Sequence, residues 1–417
     1  MGHSSAKDIF RALGRKLDQT SVRTPWTPTL RRILTLLYTE AEAELVVAMP
    51  HRPSSLARIA RITQRTEAEL RPLLEGLCAK GLVMDLWDGD TVQYMLSPMV
   101  IGFFEFTFMR APQGLPIRPL AEAFHAYLLG EKAFLEANFG GQEQVSVMRA
   151  LPHDGTQAPQ VTILDHESAS AMVREAKRFA IGTCACRHER LHTDGKICAA
   201  GLATCTSLGE TADFLIRRGF AREVPRQAVE ELLARSRELG LVLSTDNVRK
   251  APGFLCHCCA CCCHLLRGVR ESGYPGVIVS SSLMASVDEA RCRRCGRCAQ
   301  VCPVHAITAP PGEIPRLHEA FCLGCGVCAL RCPAQAIHLV SRPKRTLLPE
   351  DIFERILLQS LERGTLQHLL FDHPRRLDHA FLRALTGGFL RLPGVKQALM
   401  SEVLRSRFLG FLRKHSA

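Results

Sequence analysis

The chain of 417 residues contains no run of 18 uncharged apolar residues, which excludes an ordinary membrane-spanning helix. The longest approach to one, Met99 to Met109, is short and is interrupted by Glu105. The N-terminus, MGHSSAKDIFRALGRKL, lacks the apolar core of a secretory signal, and Arg31-Arg32 is followed by ILTLLYTEAEAE, a poor export signal. No Gly-x-Gly-x-x-Gly opens a helix and no Walker loop is present, so no nicotinamide, flavin or nucleotide fingerprint is readable. Acidic residues are also in short supply, with 41 Asp and Glu against 53 Lys and Arg and a net charge of +12. The imbalance is uneven: from Arg342 onward, 14 basic residues face 7 acidic ones. Such a tail fits an acidic protein, a membrane surface, nucleic acid or, most simply, a solvated helical face.

What is abundant is cysteine. Nineteen are present, ten between Cys184 and Cys263, eight between Cys292 and Cys332, with Cys78 alone. Clustering of this kind, without secretory features, points to metal-binding thiolates in a reduced cytoplasmic protein rather than to a disulfide framework.

The eight form a repeat at an offset of 30. EARCRRCGRCAQVCPVHAI (Glu289 to Ile307) aligns without gaps to EAFCLGCGVCALRCPAQAI (Glu319 to Ile337). Each half reads Cys-x2-Cys-x2-Cys-x3-Cys-Pro, a spacing that lets three sulfurs converge on neighbouring irons of one cubane. Gly296 and Gly326 relieve crowding where backbone approaches a cluster. In such runs the fourth cysteine serves the other cluster. Cys292, Cys295, Cys298 and Cys332 are expected to hold one 4Fe-4S cluster, and Cys322, Cys325, Cys328 and Cys302 a second. Pro303 and Pro333 redirect the chain toward each crossing sulfur. The segment resembles the two-cluster bacterial ferredoxins. That resemblance implies a pseudo-two-fold module carrying single electrons at low potential, and it covers about one eighth of the chain. The first motif carries Arg291, Arg293, Arg294 and Arg297, where the second has Leu323, Val327 and Leu330. The first cluster is expected to have the higher potential, because positive charge stabilises the reduced state. Docking of an acidic redox partner is the other reading of these arginines.

The ten upstream cysteines are Cys184, Cys186, Cys198, Cys205, Cys256, Cys258, Cys259, Cys261, Cys262 and Cys263. Six of them fall within LCHCCACCCH, where neighbours cannot all reach one ion. They are expected to bind metal, most economically one further iron–sulfur cluster on Cys184, Cys198, Cys205 and one of Cys256 to Cys259. A second extra cluster, a noncubane centre, zinc or a redox dithiol are the alternatives. His188, His192, His257 and His264 read as ligands, proton donors or helix-face residues, and Arg187 as an anion site or a thiolate neutraliser. The field is similar to the doubled-cysteine centres of heterodisulfide-reductase-like subunits, but its spacing departs from theirs and no substrate carries over. It looks more like a cysteine-rich module found beside ferredoxin domains in anaerobe-type proteins.

From Thr29 to Ser97 the pattern is helical and then a hairpin. Leu30 to Met49 is amphipathic, LARIARI is a short helix, and Thr66 with Glu69 makes a capping box ahead of a third. Asp88-Gly89-Asp90 marks the hairpin turn. This order resembles a winged-helix domain. Between Ser54 and Leu96, 5 basic residues face 6 acidic ones, so nucleic acid is not the expected partner. Protein docking or dimerisation is expected, with Cys78 in the core. Met99 to Met109 reads as a packing segment, Gly130 to Pro159 as mixed helix and loop, and Val161 to Ala169 as a strand leading into a helix. Beyond Arg342 helices carry Phe and Leu between arginines, expected to pack on the core, with peripheral membrane contact as the alternative.

The expected fold class is α+β multidomain. Residues 1–28 form an N-terminal helical arm, 29–98 a winged-helix-like domain and 99–175 a connecting α/β region. Residues 176–285 form a cysteine-rich metal-binding domain, 286–341 a 2[4Fe-4S] ferredoxin-like domain and 342–417 a basic helical tail. The expected function is that of an iron–sulfur oxidoreductase or redox subunit, passing electrons between a partner protein and the central centre. A redox-sensing winged-helix regulator and an electron-transfer adaptor are the other readings.

Overall fold

The computed structural model describes residues 8–110, 115–140, 143–343, 346–392, 394–401, 405–406 and 408–410. They gather into two compact units, one built from the N-terminal residues up to 107 with those from 353 onward, the other from 117 to 352 with Phe108.

In the first unit the amphipathic stretch beginning at Leu30 is two helices. α1 (Ile9–Leu17) precedes α2 (Pro28–Leu37) and α3 (Glu40–Ala48). The break lies at Thr39, whose hydroxyl accepts from Glu42 N while Glu42 Oε2 accepts from Thr39 N at 2.8 Å. This capping box satisfies orphan donors and starts a new helix. A short strand β1 (Ser54–Ser55) leads into α4 (Leu56–Thr63), then α5 (Glu67–Ala79), which the Thr66–Glu69 pair caps in the same way. The hairpin strands β2 (Val83–Asp88) and β3 (Thr91–Leu96) pair antiparallel, and β1 adds to β3. Leu34, Val46, Ile59, Leu70, Leu74 and Cys78 fill the centre at 0% exposure. After the hairpin comes α6 (Phe104–Arg110), along which Phe104, Phe106 and Phe108 are buried.

The second unit starts with α7 (Ile117–His125) and α8 (Lys132–Phe139). Its centre is a six-stranded antiparallel sheet of order β4-β8-β9-β6-β5-β7. In chain order this region contains β4 (Met148–Leu151), α9 (Ala169–Glu175), β5 (Phe179–Thr183), α10 (Ala185–Asp194), β6 (Ala203–Leu208), α11 (Gly209–Arg217), β7 (Ala221–Glu223), α12 (Arg226–Leu239), β8 (Val242–Asp246), β9 (Phe254–Cys258) and α13 (His264–Ser272). The strand expected at Val161 to Leu164 is absent. The segment that does enter the sheet is Met148–Leu151, inside the stretch read as helix and loop, with Met148 opposite Asp246. One sheet face packs Leu208, Leu243 and Leu255 against Met172, Val173 and Val229 of α9 and α12. The opposite face carries cysteines.

The last part of this unit repeats itself. β10 (Leu283–Val287) pairs with β13 (Ile337–Ser341), and between them lie α14 (Arg297–Val301), the short pair β11 (Ile307–Thr308) and β12 (Arg316–Leu317), and α15 (Val327–Leu330). Backbone bonds tie the module to the sheet region, from His153 N to Cys325 O at 3.1 Å and from Leu339 N to Thr156 O at 2.9 Å.

The C-terminal stretch continues as α16 (Ile352–Glu362), α17 (Leu366–Leu370), α18 (Leu377–Leu390) and α19 (Val395–Met400). From Phe353 it belongs to the first unit, where Arg58 of α4 grips both oxygens of the buried Asp372 carboxylate at 2.9 and 3.0 Å. The Phe and Leu residues of α18 do not all pack inward. Leu377, Phe381, Leu385 and Phe389, four residues apart, are 55–87% exposed. No described helix is long and apolar enough to cross a membrane.

Candidate metal centres

The two motifs of the repeat fold alike. In each, a glycine in the left-handed region (Gly296, φ 69°; Gly326, φ 80°) caps a short helix, turning the cysteine loop back over a cavity. Backbone donors aim at sulfur at matching positions, Ala306 N to Cys302 Sγ at 3.2 Å and Ala336 N to Cys332 Sγ at 3.3 Å. One cavity is lined by Cys322, Cys325 and Cys328 with Cys302 from the other motif. The second is lined by Cys292, Cys295 and Cys298 with Cys332. Each offers a small cavity of about 20 Å³ between the sulfurs. Four thiolates, apolar walls and N–H donors aimed at sulfur suit a 4Fe-4S cluster in each cavity.

Their surroundings differ. Cys302, Cys322, Cys325 and Cys328 are all buried, and burial pushes the Cys325 thiol up to about 12 and raises Cys328 as well. In the other cavity Cys295 is exposed and Cys292 and Cys332 are half-buried. Arg293 and Arg297 line that cavity, with Arg291 and Arg294 exposed beside it. We call the two cavities inner and outer.

Of the ten central cysteines, Cys205, Cys256 and Cys258 lie on the sheet face opposite the one that packs on α9 and α12. Cys205 on β6 and Cys256 on β9 are cross-strand partners, since Thr206 stands opposite Leu255. Cys184 caps α10, Cys186 sits in its first turn, and Cys263 caps α13. Thiol contacts join Cys205 to Cys256, Cys256 to Cys258, Cys258 to Cys263, Cys263 to Cys186 and Cys186 to Cys184. A second set is more compact. The sulfurs of Cys198, Cys259, Cys261 and Cys262 all lie within 4.8 Å of one another, with Cys198 at 3.6 Å from Cys259 and 3.8 Å from Cys261. Leu241 and Ala200 cover this quartet. The hydrogen bond from Cys262, helped by Arg187, holds the Cys259 thiol down to about 4. Of the four expected from sequence, Cys184, Cys198, Cys205 and one of Cys256 to Cys259, the structure places Cys198 beside Cys259, Cys205 beside Cys256 and Cys184 beside Cys186.

Arg187 of α10 is 1% exposed and closed to any substrate. Its guanidinium donates to Gly201 O, Thr204 Oγ1 and the His257 carbonyl, and the sulfurs of Cys184, Cys259 and Cys198 stand near it. The histidines are engaged away from sulfur. His257 pairs with Ser236 Oγ at 2.7 Å and Thr206 Oγ1 at 3.2 Å, and burial pulls its pKa down to about 3. His188 contacts the Phe108 carbonyl and His192.

Three residues not singled out in the sequence complete the region. Glu189 on α10, wholly buried, bonds His125 of α7 at 2.9 Å and His264 of α13 at 3.0 Å. Burial alone would raise its carboxyl, and the two imidazole bonds hold it down to about 2. This clasp fixes the N-termini of α10 and α13, where Cys184, Cys186 and Cys263 sit. The sequence signal was Glu189 three residues after Cys186, with His264 directly after Cys263. His153 is the third: it donates its backbone N–H to Cys325 O, and its Nε2 lies 2.8 Å from Leu241 O.

Among known families, the sequence profile described as a 4Fe-4S dicluster domain matches residues 291–336, which is 46 of the 417 residues. That segment is an iron–sulfur cluster-binding domain, of a kind associated with electron transfer. No curated protein and no solved structure matches the chain.

Proposed function

We propose that this chain is an iron–sulfur oxidoreductase or redox subunit in which two 4Fe-4S clusters exchange electrons with a third, cysteine-rich metal centre. When bound, such clusters take up and release single electrons. The chain's part is to hold and space them. Cys292, Cys295, Cys298 and Cys332 would hold the outer cluster, and Cys302, Cys322, Cys325 and Cys328 the inner one. The arginines around the outer cavity suit an acidic redox partner. The hairpin-bearing unit, with a net charge of −1 from Ser54 to Leu96, suits docking of a partner or a second copy better than nucleic acid. A reducing compartment such as the cytoplasm fits this use of thiols.

One observation carries the reading. From the inner cavity to the central sulfurs the chain offers a short bonded route, Cys325 O to His153 and His153 Nε2 to Leu241 O. The next residue, Val242, pairs directly with Cys258.

The test is iron and sulfide content of anaerobically purified chain, with EPR. About eight irons are expected for the ferredoxin pair, with further metal for the central field. In His153→Phe, rapid-mixing reduction of the inner cluster is expected to be unchanged while reduction of the central field slows several-fold. Colourless, iron-free protein, or zinc at the eight repeat cysteines, would overturn the proposal.

A further inference from the structure

The ten central cysteines do not form one pool, and the backbone shows why. β9 is extended as far as Cys258, so Cys256 and Cys258 point to one face and His257 to the other. Cys205 joins them from across the ladder. Then the strand stops. Residues 260–262 form a turn, the two-residue alternation ends, and Cys259, Cys261 and Cys262 gather with Cys198 from the loop after α10. Cys263 caps α13 and returns to the first set, touching Cys186 and Cys258. Consecutive cysteines are thereby dealt to two places.

The two places have different dimensions. In the quartet three of the six sulfur separations are 3.6, 3.8 and 3.6 Å, and all lie within 4.8 Å. Four sulfurs at about 2.3 Å from a single tetrahedral ion stand roughly 3.8 Å apart. In a cubane each sulfur binds a different iron, so the four must stand farther apart. The repeat provides an internal standard: among the described residues, neither of its cysteine sets brings three sulfurs to within 4.8 Å. The quartet is drawn in to the size of one ion. The other set is strung along a chain of six thiols, from Cys205 on the sheet to Cys184 at the start of α10. It faces the N-termini of α10, ten residues long, and α13, nine. Backbone N–H groups of Arg187, Leu265 and Leu266 reach its sulfurs there. Oriented amides at two helix starts suit a polynuclear group with net negative charge. Arg187 stands against both sets, a buried cation whose compensating charge is sulfur on either side.

We infer that the central field holds two centres of different kinds: a single zinc ion on Cys198, Cys259, Cys261 and Cys262, and an iron–sulfur cluster on the set Cys184, Cys186, Cys205, Cys256, Cys258 and Cys263. The all-thiolate tetrahedral donor set is one that zinc favours, and each ligating thiol gives its proton to solvent on binding. The zinc centre is redox-inert and pins the turn and the Cys198 loop. The inference refines the third centre of the proposed function and rests on that reading for the redox role of the six-thiol set.

The experiment is zinc, iron and acid-labile sulfide per full-length chain, purified anaerobically, with zinc-edge X-ray absorption. Expected for the unaltered chain are one zinc with four sulfur neighbours at about 2.3 Å and no second metal nearby, plus iron and sulfide beyond the ferredoxin pair. Cys198→Ser with Cys261→Ser loses the zinc and keeps all sulfide. Cys258→Ser with Cys263→Ser loses the extra iron and sulfide and keeps the zinc. The EPR signals of the ferredoxin clusters report whether each variant has folded; where one has not, the absorption spectrum of the unaltered chain decides. Absence of zinc, a zinc shell with fewer than four sulfurs, or sulfide lost with the quartet would overturn the inference. Failure of the electron-transfer reading looks different: both centres present in the expected amounts, with no passage of electrons to the six-thiol set.

Discussion

The inner and outer cavities have the same cysteine spacing, the same capping glycine and the same sulfur-directed amides, yet they sit in opposite environments. Arg294 and Gly324 occupy equivalent positions, thirty residues apart, and both backbones are left-handed, at φ 55° and 65°. At the outer loop a full arginine is accommodated because the loop faces solvent. At the inner loop a Cβ would fall 2.1 Å from Leu283 O and 2.2 Å from Ser281 Oγ. Gly326 is likewise pressed, its imaginary Cβ lying 2.5 Å from Thr156 Oγ1, whereas Gly296 meets nothing closer than 3.9 Å. A duplicated motif thus has one copy built into the body of its unit and the other left open. Spacing decides what is bound, and surroundings decide what that site is used for. Solvent and four arginines would favour the reduced state of a cluster held outside, and apolar burial would disfavour it inside, so under the proposed reading the outer site is expected to be the easier to reduce.

The most severe way to break this comparison is to remove one ligand from each side. Cys325→Ser should abolish the inner EPR signal and cut electron delivery to the central field by at least tenfold. Cys295→Ser should leave the inner signal in place and instead impair reduction by an external protein donor. Equal loss of both signals in either variant would show that the cavities are not independent sites. Next in size is the pair of glycine tests. Gly324→Ala combines left-handed strain with a backbone clash and should cost about 3 kcal/mol in thermal unfolding of the metal-loaded chain. Arg294→Gly should change stability by about 1 kcal/mol or less. Comparable melting shifts would refute the claim that only the inner loop is pressed.

A smaller effect separates tuning from docking. Exposed charges a few ångströms from a cluster contribute about 0.5–1 kcal/mol each, on the order of 20–40 mV for one electron. Arg293→Gln with Arg294→Gln should therefore lower the outer potential by tens of mV and leave the inner one unchanged. If the outer potential stays put while reduction by an acidic donor slows, the arginines serve only to dock. The smallest effect concerns salt: raising ionic strength from 0.05 to about 0.5 M should slow entry at the outer site several-fold, because surface attraction is screened over about 10 Å at 0.1 M. Transfer from inner cluster to central field, buried throughout, should be indifferent to salt.

Much of the ferredoxin module was legible because its chemistry is local. Eight cysteines at fixed offsets specify loops, helices and crossing ligands within 50 residues. Capping boxes are equally local: Thr39 with Glu42 divides the stretch from Leu30 to Met49 just as Thr66 with Glu69 opens α5. The central sheet was not legible, because Met148 pairs with Asp246 almost a hundred residues away and nothing near Met148 announces it. Val161 to Leu164 has the apolar look of a strand but no partner in the sheet. The sorting of the ten cysteines escaped for another reason: it depends on where β9 stops, and the run from Cys256 to Cys263 gives the same residue type on both sides of that point. His153 and Glu189 act by where they lie rather than by any motif.

Arg187 has a consequence for how the protein is made. Its guanidinium is sealed among carbonyls, a hydroxyl and sulfur. A cation in a dry interior needs negative charge beside it, and the sulfurs of Cys184 and Cys259 are both held below the ordinary thiol range there, so the pairing does not wait for a metal. Metal delivery would then meet sulfurs already gathered beside a buried cation.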